Sequence, residues 1–386
     1  MRTRSLFLAA AALAMAGCSQ NTVMETNPDA RAVMKFGVYT GVQTKGTETN
    51  TAGLKTGGGF GFLAYKTSGW TNEKGGVTPD FLYNENGTWD NSGSAWKYTN
   101  TRFWPTNSDK ITFFAYAPYE ATPDGTSGKI KLSGKTDTGA PILEFEVNNT
   151  DGTINWDAMV DLVTDCRTDI QDMISTSGTP AGTVKFKFSH VLTKVADIQV
   201  KASEDLGANT RIFVTGLKLD PGSALPKRAK YKFDDNSWEE LAAPQNFSAS
   251  QDLEAFLNKA DADFNGYTTK SVEVSGQTTV SLFHANKDNP AKALYFIPVN
   301  GATGTGSEGD LKLKLSYDLV MKASDGTGNV TSSVSEKEIS LPANTFKQGY
   351  AHTYTLTITM NSIKIDVDDD FETWGNGGTG DVTVNP

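Results

Sequence analysis

Apolar and polar residues alternate with a period of two through much of the chain, most cleanly in YAHTYTLTITM, from Tyr350 to Met360. Tyr350, His352, Tyr354, Leu356, Ile358 and Met360 share one face and threonines fill the other, which predicts a strand packed on one side and partly open on the other. VKFKFSH sets Val184, Phe186, Phe188 and His190 against Lys185, Lys187 and Ser189, and LKLKLSYDLVM aligns Leu311, Leu313, Leu315, Tyr317 and Leu319. Further strands are predicted in AVMKFGVYT, where Met34, Phe36 and Val38 share a face, and in GFLAYKT, KIKL, PILEFEV, RIFVTGLKLD, AKYKF, SVEV, TTVSLFH and ALYFIPV. In KITFFAYAPY both alternating sets are apolar or aromatic, so this strand is expected to be covered on both faces.

Helical spacing is scarce. SQDLEAFLNKA predicts one short helix, and INWDAMVDLV, from Ile154 to Val163, fits a helix or a strand equally well. One-sided strands need a second layer to close a core, so the expected class is all-β: two antiparallel β-sandwiches in series with short helices in the connections, closed barrels being the alternative. A chain of 386 residues also exceeds the usual size of one core. The polar segment TSGTPAG, Thr176 to Gly182, marks the boundary between domains at 32–182 and 183–386. The Thr- and Gly-rich interval between AVMKFGVYT and GFLAYKT is long for a compact-domain loop and reads as mobile or functional.

The first residues follow a different logic. Arg2 and Arg4 precede an apolar run from Leu6 to Ala16, far shorter than the roughly 20 residues that cross a bilayer, so residues 1–17 read as a signal peptide. Ala16 and Gly17 lead to Cys18 as at a bacterial lipoprotein cleavage site, although Met15 stands where Leu is more usual. A lipidated Cys18 would supply the two or more acyl chains that firm anchoring requires. Residues 18–31, ending in SQNTVMETNPDAR, read as a flexible tether. Removing the leader takes away two arginines and no acid, so the formal charge falls from -10 to -12, which argues against nucleic acid as a partner.

Catalytic chemistry finds little support. His190, His284 and His352 are far apart, with no CxxC or HExxH spacing, and each reads as a strand residue with a hydrogen-bonded nitrogen. Cys166 reads as an inert buried thiol, since Cys18 is the only other cysteine and no base is placed beside it. Asp366, Asp368, Asp369 and Asp370 lack the spacing and central glycine of a calcium loop, and Asp157, Asp161 and Asp165, four apart, fit one face of a helix. Trp70, Trp89, Trp96 and Trp104 form either a sugar-stacking platform or the packing of long loops. No enzyme activity, cofactor or metal is expected.

The lipoprotein leader, WKYTNTRFWPTNSDKITFFAYAPY from Trp96 to Tyr119, VKFKFSHVLTKV from Val184 to Val195, ALYFIPV from Ala293 to Val299, and the closing YAHTYTLTITM with Ile363 to Val367 and Trp374 together resemble the fimbrillin family of Bacteroidota, nearest its large Mfa-like group. The resemblance spans nearly all of the chain beyond the leader. It implies two transthyretin-like β-sandwiches, export as an outer-membrane lipoprotein, and a structural or accessory role in surface fimbriae supporting cell adhesion. Its partners would be other fimbrial subunits, the outer membrane through the lipid, and a host or bacterial surface ligand. In stalk members of the family an arginine-specific protease cuts beyond the lipidated cysteine, and a neighbour's strand fills the groove then opened. Arg31 is the nearest match to that processing point. Ala32, Met34, Phe36 and Val38 would lie in the first exchanged strand, and Tyr350, Tyr354, Leu356, Ile358, Ile363 and Ile365 in a second, C-terminal candidate with a glycine-rich hinge at Gly375 to Gly380. A surface glycan-binding lipoprotein is the alternative function. Stalk, anchor and tip roles remain open at this point.

Overall fold

The computed structural model describes residues 33–40, 49–105, 109–126, 128–147, 159–171, 183–222, 225–247, 250–254, 257–282, 294–298, 311–341, 346–359, 362–370 and 380–384. A seven-stranded sheet runs in the order β1 (Lys35–Thr40), β9 (Thr183–His190), β8 (Val163–Ile170), β5 (Lys110–Ala117), β2 (Phe60–Thr67), β3 (Leu82–Asp90) and β4 (Ala95–Lys97). A four-stranded sheet contains β13 (Ser237–Asn246), β12 (Pro226–Lys232), β7 (Ile142–Glu146) and β6 (Ile130–Leu132). The third sheet, of six strands, is ordered β16 (Val280–Ser281), β10 (Thr193–Ala202), β20 (Ala351–Ile358), β21 (Ile363–Asp370) and β22 (Gly380–Val384), with β17 (Leu294–Phe296) also on β10. The fourth, of five strands, is ordered β14 (Gln251–Asp252), β11 (Thr210–Asp220), β18 (Lys312–Lys322) and β19 (Asn329–Ser340), with β15 (Val272–Val274) also on β11.

The chain is an all-β sandwich protein with short helices in its connections, α1 (Thr51–Thr56) and α2 (Trp70–Glu73). Asn50 starts α1 by accepting the Gly53 amide at 2.7 Å, the usual side-chain cap of an orphan helix donor. Among the described residues no helix is long and apolar enough to cross a membrane. Two ladders depart from the expected antiparallel pairing, since β1 runs parallel to β9 and β10 parallel to β20. No hairpin turn joins either pair, so nothing local forces the antiparallel direction.

Alternation is realised where it was predicted. Val184, Phe186 and Phe188 of β9 are buried while Lys185, Lys187 and Ser189 are exposed. His352, Tyr354, Leu356 and Ile358 of β20 are likewise buried. β5 is covered on both faces: Phe114 and Tyr116 enter the large core, while Ile111, Phe113 and Ala115 enter a second core with Phe62 and Phe186.

Strand pairing crosses the boundary expected at 182/183. β9 lies between β1 and β8 in the first sheet, and β12 pairs with β7 from Arg228↔Glu146 to Lys232↔Ile142. The large core accordingly runs without a break from Leu63 and Phe114 through Phe145 and Tyr231 to Leu356 and Ile365. TSGTPAG itself lies outside the described residues.

The helix expected in SQDLEAFLNKA is corrected. Gln251 and Asp252 pair with Leu219 and Lys218 as β14, and Leu253 and Leu257 are buried in the large core; residues 255–256 lie outside the described residues. Their helical spacing reflects burial of separate loop positions, with tertiary pairing overriding local periodicity. Of INWDAMVDLV, residues 154–158 lie outside the described residues and Val163 opens β8.

Candidate assembly site

β1 is an edge strand, held to the sheet by one parallel ladder that runs from Lys35↔Thr183 to Thr40↔Phe188. Its predicted face forms as expected: Met34 and Phe36 are buried and Val38 packs against the same core. Phe36 is the plug of that core. Its ring lies 4.6 Å from Phe62, 5.0 Å from Tyr98, 5.8 Å from Phe113 and 5.6 Å from Phe186, the last stacked at 11°. Such aromatic contacts add to the large apolar area the side chain removes from water.

The start of β1 is fastened separately. The Met34 amide donates to the Arg102 carbonyl at 3.0 Å, and the Tyr98 hydroxyl donates to the Met34 carbonyl at 3.3 Å while accepting from the Arg102 amide at 3.0 Å. The chain is fastened again at Thr49. Its amide donates to Asp161 Oδ2 at 2.8 Å and its hydroxyl to the Asp161 carbonyl at 2.6 Å. His190 Nδ1 lies 3.0 Å from the same carboxylate oxygen, so a fully buried acid joins the segment after β1 to the ends of β8 and β9. Cys18, Arg31 and Ala32 lie outside the described residues.

The C-terminal candidates occupy different positions. β20 is an interior strand, parallel to β10 on one side and antiparallel to β21 on the other, so Tyr354, Leu356 and Ile358 are buried between two neighbours and Tyr350 precedes the strand half-buried. Ile363, Ile365 and Val367 of β21 are buried and repeat the i, i+2, i+4 spacing of Met34, Phe36 and Val38. β22, pairing only with β21, forms the sheet edge.

The remaining chemical candidates are structural. Trp70 packs on Tyr65 and Phe114 in one core, and Trp96 and Trp104 are buried in the other, so among the described residues these indoles form no coplanar exposed row for a sugar. Trp89 meets Trp96 edge-on at 5.4 Å and carries Lys55 Nζ 3.9 Å above its ring. Cys166 is half-buried in β8, and burial pushes its thiol up to about 12. Asp165 stands in the same strand, not on a helix, and accepts the Lys187 amide at 2.8 Å, while burial holds its carboxyl above the ordinary range. Asp157 and His284 lie outside the described residues. His352 is buried between the rings of Tyr350 and Tyr354. Asp366, Asp368, Asp369 and Asp370 form the acidic end of β21. Among the described residues no three His, Cys, Asp or Glu side chains are grouped to hold a metal ion.

Sequence reasoning missed Tyr98, Asp161 as a clamp, and β9 as the partner of β1. Only the run of aromatics between Trp96 and Trp104 hinted at the first, and no local signal carried the others.

Residues 26–374 match a protein family described as fimbrillin-like. The chain is 52% identical over 390 residues to the fimbrium subunit Fim1C of Phocaeicola vulgatus, covering 100% of both. It is also similar to the crystal structure of a fimbrial protein from Bacteroides vulgatus, with 50% identity and a TM-score of 0.75 over 88% of this chain and 98% of that one.

Proposed function

Since the chain belongs to the fimbrillin-like family, a family of fimbrial structural subunits and not of enzymes, we propose that it is a structural or accessory subunit of surface fimbriae that assembles by exchanging a terminal strand. The observation that supports exchange is Phe36, a plug between four aromatic rings carried on an edge strand with a single ladder. Withdrawing β1 would open an apolar groove beside the free edge of β9, and a strand with three alternating apolar side chains would refill it. Ile363, Ile365 and Val367 offer that pattern from the C-terminal end of a neighbour. A cut after Arg31 would sever the tether ahead of β1 and leave the strand joined to the rest through Thr40, so exchange then requires β1 to leave its ladder.

Gly37 and Lys185 are register partners with outward side-chain directions, and a Cβ built on Gly37 meets nothing nearer than 3.6 Å. The pair Gly37→Cys, Lys185→Cys would lock β1 in place at a Cα separation that suits a disulfide. Oxidised protein is expected to remain unpolymerised and reduced protein to form fibres under the electron microscope; fibres from the locked form would reject exchange at β1. Removing residues 361–386 tests the C-terminal donor, which unchanged fibres would exclude.

Delivery by lipid is the second part of the proposal. Cys18 would carry the acyl chains to the outer membrane, and processing at Arg31 would then separate the fimbrial body from them. Mass spectrometry of protein from the cell surface is expected to find an N-terminus at Ala32 or later in fibres. Acylated Cys18 retained throughout would instead assign an anchor or accessory role.

A further inference from the structure

The outer face of the third sheet carries a charge pattern that strand exchange does not use. Ile198, Val200, Leu356 and Ile365 point into the core, so the residues alternating with them point outward. Ladder register arranges these in three cross-strand rows. Lys201, Thr357 and Lys364 form the row at one end. Gln199, Thr355 and Asp366 form the middle row, and Asp197, Thr353 and Asp368 the row at the other end. Four residues along each strand separate the lysine row from the aspartate row, about 13 Å.

The two ends therefore have opposite charge, with Thr355 between them on the central strand. Lys364 and Asp368 are exposed, whereas Asp197 is held by the Ser281 hydroxyl at 2.6 Å and the Gln199 amide at 3.1 Å. Thr353, Thr355 and Thr357 of β20 run down the centre of the face, one short side chain in each row.

We propose that this face pairs with the same face of a second copy of the chain. The two-fold axis would lie in the contact plane, perpendicular to the strands, over the row of Thr355. That symmetry sets Lys201 against the second copy's Asp197 and Lys364 against its Asp368, and repeats both pairs by the two-fold relation. An axis along the strands would set lysine on lysine, so the charge pattern selects one of the two arrangements. Asp366, in the middle row, meets its own counterpart and weakens the contact.

The charged patch on β10, β20 and β21, part of a wider sheet, is smaller than the roughly 800 Å² per partner of a stable complex, so the pairing is weak and salt-dependent. Along a fibre, where the fimbrial reading applies, many copies would act together and hold two fibres side by side. The dimer itself does not depend on that reading.

Sedimentation equilibrium of the full-length protein tests it. A monomer–dimer equilibrium is expected at about 0.02 M salt and monomer alone at about 0.5 M. Lys364→Asp and Asp368→Lys are each expected to weaken dimerisation about tenfold, because each turns attractions into repulsions. An equimolar mixture of the two variants is expected to dimerise again, as is the double variant Lys364→Asp, Asp368→Lys, which also shows that the substituted face folds. Asp366→Asn is expected to strengthen the dimer. A monomer under all conditions, a dimer indifferent to either reversal, or a mixture no stronger than its components would overturn the proposal.

Discussion

Phe36 shows how much one side chain contributes where four rings converge. Replacing it with alanine removes the contacts to Phe62, Tyr98, Phe113 and Phe186 and leaves a cavity that the neighbouring strands cannot close. Phe36→Ala is expected to lower the unfolding free energy by about 3–5 kcal/mol, read from the urea midpoint at unchanged slope. Lys129 illustrates the opposite case, a charge that burial disfavours. Its ammonium donates to the Val147 carbonyl at 3.1 Å, yet desolvation, partly opposed by Glu146, lowers its pKa from 10.5 to about 8. Between those two values the unfolded chain binds the proton that the folded chain has released, so this lysine makes stability rise with pH across that window, and its burial penalty is fully present below it. Lys129→Met is expected to flatten the rise, measured as the difference between wild-type and variant urea midpoints at pH 7 and pH 10.

Elements differ in how far their own sequence announces them. β9 and β20 were legible because one face meets the core and the other carries lysine or threonine. β5 was legible by the lack of such a polar face. Phe113→Ala and Phe114→Ala should therefore both destabilise the protein by about 3–5 kcal/mol, in separate urea titrations, although the two rings point to opposite sides. A strand buried on one face would respond strongly to only one of them. β19 escaped notice for a physical reason. It is the edge of its sheet, and most of Asn329–Ser340 faces solvent, so apolar periodicity has nothing to report except the buried Ile339. Its edge carries its own protection: Glu336 takes a positive φ of 47° at a ladder irregularity and is held by Lys218 Nζ at 2.6 Å. The candidate assembly site was half legible in the same sense. The shared face of Met34, Phe36 and Val38 follows from spacing, whereas the parallel union of β1 with β9 joins segments nearly 150 residues apart and leaves no local trace.

At the scale of the molecule, the hairpin β12–β13 decides how the two halves depend on each other. It follows β11, a strand of the fourth sheet, and then crosses to complete the sheet of β6 and β7. Trp238 on β13 donates its indole N–H to the Val191 carbonyl at 2.6 Å, just where the chain passes from β9 to β10. The first sandwich thus takes β9, β12 and β13 from beyond residue 182, and one continuous core reaches from Leu63 to Ile365. A fragment ending at Gly182 would leave Phe114, Leu143 and Phe145 without the strands that cover them, and the cost of that exposed apolar area falls on a unit with few compensating contacts. Such a fragment is expected to lack the near-ultraviolet circular dichroism of packed aromatics, and the intact chain to melt in one calorimetric transition with equal calorimetric and van't Hoff enthalpies. Two separate transitions, or a folded fragment, would mean that the sandwiches are independent. Mechanical load passed along a fibre would then have to be borne by the linker between them. With the hairpin in place, the sheet that begins at β1 is joined to β20, β21 and β22 through paired strands and a shared core.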